Sequence, residues 1–197
     1  MVRWEGNARG RLEQAALDLF AEQGYDRTTV AQIAQRANLT ERSFYRWFRD
    51  KREVLFGGDE LEERFVAAIE AAEEGTDPLT MLMAAFKTAP EVIRPRDFLR
   101  KRGEVVAANP PLRERELIKL AALSQALTAA LEKRGCDAQT ARLATDAGMA
   151  ILRLASERWM ADENADHARL LADCATDLLA VLKPARRSRT DTVSERT

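Results

Sequence analysis

The chain has 197 residues, with 31 Lys and Arg against 32 Asp and Glu, a single histidine and a formal net charge of −1. This balance excludes a polybasic coat for nucleic acid and an acidic disordered chain, while a basic face can still sit inside a neutral total. Hydrophobic residues make up 46%, ample for a core, yet no run reaches the roughly 18 apolar residues of a membrane span, so no membrane partner is expected. Residues 1–56 carry 10 basic and 8 acidic side chains, 57–182 carry 16 and 22, and 183–197 carry 5 and 2. Positive charge therefore gathers at both ends. The start, Met1-Val2-Arg3-Trp4-Glu5-Gly6, has no hydrophobic region of a secretion signal, and a cytoplasmic protein is expected.

Alanine, leucine, glutamate and arginine dominate, and β-branched residues never alternate, so an all-α fold of about nine helices is predicted. The first helix runs from about Arg9 to Gln23, with Leu12, Ala15, Ala16, Leu19 and Phe20 on one stripe and Gly24 as its stop. Thr29 and Gln32 have the spacing of a capping box for a second, short helix whose inner face is Val30, Ile33, Ala34 and Ala37. Asn38 stands where a left-handed residue ends that helix. Leu39 enters the core, and Thr40 starts a third helix over Glu41 to Phe48. A fourth is expected from Asp50 as cap to about Glu74, weakened at Gly57-Gly58, where a bend or break is plausible.

Asp77-Pro78 opens an apolar helix to Ala89, and the next spans Arg96 to Ala108. Asn109-Pro110-Pro111 breaks the chain before a long helix from Leu112 to Arg134, closed by Gly135. Asp137 caps the helix from Ala138 to Met160, and Asn164 or Asp166 caps the last, to about Leu182. The tail from Pro184 has no apolar period and is expected to be disordered.

Two short helices joined through Asn38 and backed by an amphipathic first helix match a DNA-binding helix-turn-helix, whose second helix reads the major groove. The run Arg11-Leu-Glu-Gln-Ala-Ala-Leu-Asp-Leu-Phe-Ala-Glu-Gln-Gly-Tyr25, with Thr28-Thr29-Val30, Ile33-Ala34, Ala37-Asn38-Leu39-Thr40, Phe44-Tyr45 and Phe48 to Leu55, resembles the N-terminal domain of TetR-family transcriptional regulators. The resemblance covers about residues 9 to 56. The chain departs from the family pattern at Asn38, where glycine is usual, at Phe44, where leucine is common, and at Trp47, where histidine or tyrosine is frequent.

The resemblance implies residues 1–56 as the DNA-binding domain, 57–183 as a helical ligand-binding and dimerisation domain, and 184–197 as a tail. It places Glu41 and Arg42 at base edges, where Arg42 can bind guanine bidentately. Thr29, Thr40, Ser43, Tyr45, Arg46, Trp47 and Lys51 complete the implied DNA-binding set, Lys51 acting with the start of the fourth helix. Arg3, Arg9 and Arg11 could add an electrostatic arm. Singly, Arg42 and Arg46 also suit a solvated face, and Tyr45 and Trp47 also suit a core.

The last helix carries Leu170, Leu171, Cys174, Ala175, Leu178, Leu179, Val181 and Leu182, an apolar arc too wide for one neighbour. The helix before it offers Ala141, Ala144, Gly148, Ile151, Ala155 and Trp159 along one side. A two-chain four-helix bundle is expected, built on Gly148, Ile151, Ala155, Trp159, Leu171, Cys174 and Leu178, with a single-chain core as the alternative. The homodimer would set two reading helices on a roughly palindromic double-stranded operator. The resemblance further implies a small apolar or amphipathic ligand that releases DNA, and candidate lining residues are Met81, Leu82, Ala85, Phe86, Phe98, Val105, Leu123, Leu127 and Leu152. Periodicity does not separate such a pocket from packed core. Arg94, Arg96, Arg100, Lys101 and Arg102 form a basic cluster that could face DNA, an acidic ligand or solvent.

No catalytic arrangement is visible. His167 is the single histidine, Cys136 and Cys174 form no CxxC, and Ser124 and Ser156 lack a nucleophile-elbow context. No metal, no cofactor and no enzymatic activity are expected. The reading is a TetR-like repressor, the alternative being a helical interaction protein that uses its helix-turn-helix only for packing.

Overall fold

The computed structural model describes residues 8–182, which form nine α-helices and two short 3-10 turns, with no strand among the described residues. Arg3 and the tail from Pro184, both singled out above, lie outside the described residues.

The head is built from α1 (Ala8–Gln23), α2 (Val30–Arg36) and α3 (Glu41–Trp47). Leu12, Ala16, Leu17, Ile33 and Phe44 are fully buried where these helices meet. Phe44 stacks on Phe48 at 5.3 Å between ring centroids, and Phe20 meets Tyr25 at 5.2 Å. Removing such a buried side chain to alanine costs about 2–5 kcal/mol, so this cluster fixes how α3 is carried. The cluster does not end at residue 56. Phe98, Val105, Val106 and Leu112 belong to it, and thus two later helices close the core of the head.

The body comprises α4 (Glu60–Glu70), α5 (Pro78–Phe86), α6 (Arg96–Ala108), α7 (Pro110–Lys133), α8 (Ala138–Ala161) and α9 (His167–Leu182). Three aspartates cap as the sequence predicts: Asp77 Oδ1 accepts from Thr80 N at 3.0 Å, Asp137 Oδ1 from Thr140 N at 3.0 Å, and Asp166 Oδ1 from Arg169 N at 2.7 Å. A second core joins Phe65, Ile69, Leu82, Phe86, Leu127, Leu131 and Leu171.

The predicted fourth helix from Asp50 to Glu74 is not continuous. Asp50 Oδ1 accepts from Arg52 N at 2.7 Å, but only a 3-10 turn at Glu53–Leu55 follows. Gly57 then takes φ +65°, a left-handed conformation open to glycine, and breaks the chain before α4.

The dimer residues need the larger correction. Gly148, Ile151, Ala155, Leu171 and Cys174 are buried within the single chain. Gly148 lies where α5 crosses α8: a Cβ there would sit 3.0 Å from Leu82 Cδ1 and 3.3 Å from Phe86 Cε2. Leu178 packs on the same core. Trp159 meets His167 edge-on at 5.7 Å, with the Arg96 guanidinium 4.0 Å from its ring. The small-residue stripe of α8 thus faces α5 and α9 of its own chain. On α7, α8 and α9 the large apolar residues left exposed are Leu117, Ile118, Leu120, Leu143, Leu179, Val181 and Leu182.

The expected pocket lining is corrected for a similar reason. Met81, Leu82, Ala85, Phe86 and Leu127 are buried in the body core, Leu152 packs against it, and Val105 belongs to the core of the head. A cavity of about 720 Å³ opens elsewhere, at the joint of head and body, and of the nine residues only Phe98 and Leu123 line it. Among the described residues no helix is long and apolar enough to cross a membrane. No group of three or more His, Cys, Asp or Glu is placed among them to hold a metal ion.

Candidate nucleic-acid interface

The turn before α3 is built from hydrogen bonds the sequence spells out. Thr29 Oγ1 accepts from Gln32 N at 3.2 Å and Gln32 Oε1 accepts from Thr29 N at 2.9 Å, a complete capping box at the start of α2. Asn38 takes φ +55°, and Leu39 N then donates to Ala34 O at 2.8 Å, closing the end of α2. Thr40 Oγ1 accepts from Ser43 N at 3.2 Å and caps α3. Arg36 clasps Glu22 through two N–H···O contacts of 3.0 and 2.8 Å, tying α2 to α1.

On α3 only Phe44 is buried. Glu41, Arg42, Tyr45, Arg46 and Trp47 are exposed, Tyr45 at 56% and Trp47 at 45%. Large aromatic side chains left half open on a seven-residue helix, beside two arginines, make a surface suited to phosphates and base edges. Arg46 rests its guanidinium 5.7 Å from the Trp47 ring. Ser43 is half-buried, and Thr29 and Thr40 are exposed, although all three hydroxyls also serve the local turns.

Lys51 is placed differently from the expectation. Its Nζ donates to Tyr25 O at 2.7 Å and Thr28 O at 2.8 Å and lies 4.1 Å from the Tyr25 ring centroid. Burial pushes its pKa below the usual lysine value. The residue braces the loop between α1 and α2, and the chain around it turns as 3-10 rather than as the start of a long helix. Arg9 is equally engaged, with Glu13 at 3.1 Å and Glu60 at 2.5 Å, rather than free as an arm.

The basic cluster of α6 and the residues before it is likewise spent inside the fold. Arg94 approaches Glu13 at 3.5 Å, and Arg96 donates to Asp162 O and Ala165 O, each at 2.7 Å. Arg100 reaches Met160 O, Lys101 pairs with Asp18 at 2.5 Å, and Arg102 donates to Leu55 O at 2.6 Å and Glu116 at 2.9 Å. These side chains tie α6 to the head on one side and to the α8–α9 turn on the other. Sequence reasoning missed this role because the partners lie many residues away along the chain.

A short, capped, exposed helix following a tight left-handed turn, carried on an all-helical body, defines a helix-turn-helix protein. Residues 13–56 match the family model described as bacterial regulatory proteins, tetR family. The head of the chain is thus similar to the DNA-binding part of TetR-family regulators. It is 41% identical over 80 residues to the HTH-type transcriptional regulator TcmR of Streptomyces glaucescens, covering 40% of this chain and 35% of that one. It is also 44% identical over 48 residues to HbdR, another HTH-type transcriptional regulator, of an Aromatoleum species, covering 24% and 21%. The aligned part spans about a third or less of those relatives' length.

Solved structures show the same fold over nearly the whole chain. A transcriptional regulator of Aquifex aeolicus superposes with a TM-score of 0.54 at 20% identity, covering 88% of this chain and 99% of that one. SmeT of Stenotrophomonas maltophilia, in complex with triclosan, gives 0.55 at 22% identity and covers 96% and 98%. NalD of Pseudomonas aeruginosa, the secondary repressor of the MexAB-OprM efflux pump, gives 0.55 at 20%, covering 89% and 95%.

Proposed function

We propose that the chain is a cytoplasmic, DNA-binding transcriptional repressor that binds a roughly palindromic operator as a homodimer and is released by a small apolar or amphipathic molecule. The observation that carries the reading is the exposed face of α3, held rigid by the caps at Thr29 and Thr40 and the left-handed Asn38. On that face Arg42 and Glu41 read base edges, while Thr40, Ser43, Tyr45, Arg46 and Trp47, together with Thr29 at the start of α2, hold the phosphate backbone. Lys51 contributes by holding the loop at Tyr25 and Thr28 in place. The likeness of the head to TcmR and HbdR, both named transcriptional regulators, supports DNA binding. NalD's description as a repressor supports the sign of regulation, and SmeT's complex with triclosan supports a small-molecule effector.

Selection of duplexes from a random pool by the purified protein tests this directly. The expected result is enrichment of one palindromic site, bound far more tightly than random DNA and with affinity falling steeply as salt rises. Arg42→Ala should relax selection at one base position per half-site, costing about 1–3 kcal/mol there. A pool that shows no enrichment would favour a helix-turn-helix used only for packing.

A further inference from the structure

The exposed face of α3 carries a carboxylate among its cations. Glu41 is the first residue of the helix and is exposed. Its side chain is not the cap. Thr40 Oγ1 accepts from Ser43 N at 3.2 Å and shares a hydrogen bond with Ser43 Oγ at 3.0 Å, so the helix start is already served. Helical spacing sets Glu41 beside Tyr45 and Arg42 beside Arg46, so no basic residue of α3 stands three or four places from the carboxylate. Elsewhere in the head, Glu13, Asp18, Glu22, Asp50 and Glu53 are each paired with an arginine or lysine. Among the described residues Glu41 forms no such pair; Asp26, in the loop between α1 and α2, is the other head carboxylate in that condition.

A free carboxylate on this face works against DNA binding in general, because the phosphates of any duplex repel it. The repulsion is offset only where a base edge offers the carboxylate a donor. In the major groove guanine shows its N7 and O6 acceptors, thymine its O4 acceptor and methyl group, and adenine its N6 amino donor beside the N7 acceptor. Cytosine alone shows an amino donor with no acceptor next to it, so a carboxylate fits cytosine and is turned away by the other bases. An amide fits differently: glutamine donates to adenine N7 while accepting from the N6 amino group. The charge of this one side chain therefore decides which base it favours.

We propose that Glu41 is a specificity-determining residue that requires cytosine at one position of each half-site and penalises every duplex lacking it. The proposal rests on the reading of α3 as the DNA-contacting helix and names the base that one of its residues selects. Arg42 and Arg46, which have no carboxylate partner among the described residues, attract any duplex. Glu41 subtracts from that attraction everywhere except at its cytosine, which widens the gap between the operator and random DNA.

The test selects duplexes from a random pool with the full chain and with its Glu41→Gln and Glu41→Ala variants, then measures affinity for the selected operator and for random duplex. The wild type should hold a cytosine at one position per half-site, where any other base weakens binding at least about fivefold. Glu41→Gln should move the preference at that position to adenine and leave the other positions as they were. Glu41→Ala should accept all four bases there within about threefold and bind random duplex at least about twofold more tightly than the wild type. N4-methylcytosine at the selected position keeps the base pair but blocks the groove-facing N–H; it should weaken the wild type at least about fivefold and leave Glu41→Ala unaffected. A carboxylate that only complements the dipole at the helix start would instead lower the melting temperature when removed and leave the base preference untouched, an outcome that overturns the proposal. An operator selected identically by all three proteins overturns the role of Glu41 while the operator reading stands. A pool without enrichment by any of them overturns both.

Discussion

Asn38 holds φ +55°, the conformation that costs a side chain with a Cβ about 1–2 kcal/mol and glycine nothing. Asparagine reduces that cost without abolishing it. Asn38→Gly should therefore stabilise the head by up to about 1 kcal/mol and leave operator selection unchanged, while Asn38→Ala should destabilise it by a similar amount. Thermal melts of the two variants, run beside the selection assay, check this. His167 presents a second residue-scale expectation. Its ring is buried against Trp159, and its Nδ1 has no hydrogen-bond partner. Burial pushes its pKa below the ordinary value; the Asp166 carboxylate opposes that shift, and the Arg96 guanidinium adds to it. The folded state thus keeps a neutral imidazole while the unfolded chain protonates at about 6.5, so unfolding takes up a proton below that pH. Stability contributed by neutral His167 is complete above about pH 6.5 and declines as pH falls toward the depressed folded value. The melting temperature of the wild type should drop relative to His167→Gln between about pH 7 and 5; parallel curves would contradict this.

Among the elements, α1, α2 and α3 were legible because their signals are local: a capping box three residues apart, an asparagine at the turn, an apolar stripe at helical spacing. The sequence pattern predicts α6 over Arg96 to Ala108, which is the span it occupies. Its role was hidden, because the contacts of Arg96 with Asp162 O and Ala165 O, and of Lys101 with Asp18, join residues 66, 69 and 83 positions apart. The segment after α3 failed for a different reason. Asp50 and Glu53 carry a helix-start pattern, but Gly57 leaves the helical region two residues beyond the 3-10 turn at Glu53–Leu55. Lys51 is the prediction at this scale. Lys51→Met removes both donors to the α1–α2 loop and should destabilise the head by about 1–3 kcal/mol, while leaving the salt dependence of operator binding unchanged. Loss of a true phosphate contact would instead reduce the logarithmic salt slope by about 0.9.

For the whole molecule, the burial of Gly148, Ile151, Ala155, Leu171 and Cys174 moves the expected dimer surface to the outer sides of α8 and α9. Leu143 and Leu179 are 62% and 51% exposed there, and Val181 and Leu182 are more open still. Leu143→Glu with Leu179→Glu should therefore give a folded monomer in light scattering and weaken operator binding, since one reading helix then binds without its partner. A double variant that stays dimeric would place the interface elsewhere, with the exposed Leu117, Ile118 and Leu120 of α7 the next surface to examine. By itself, the sequence determined the helices, their caps and the face of α3 that points outward, because each follows from spacing within a few residues. Only the tertiary structure decided which apolar faces meet inside one chain, where the basic cluster is spent, and that the cavity lies at the joint. Residues in a packed core, at a dimer surface and around a cavity share the same helical period, and only their neighbours from distant segments tell them apart.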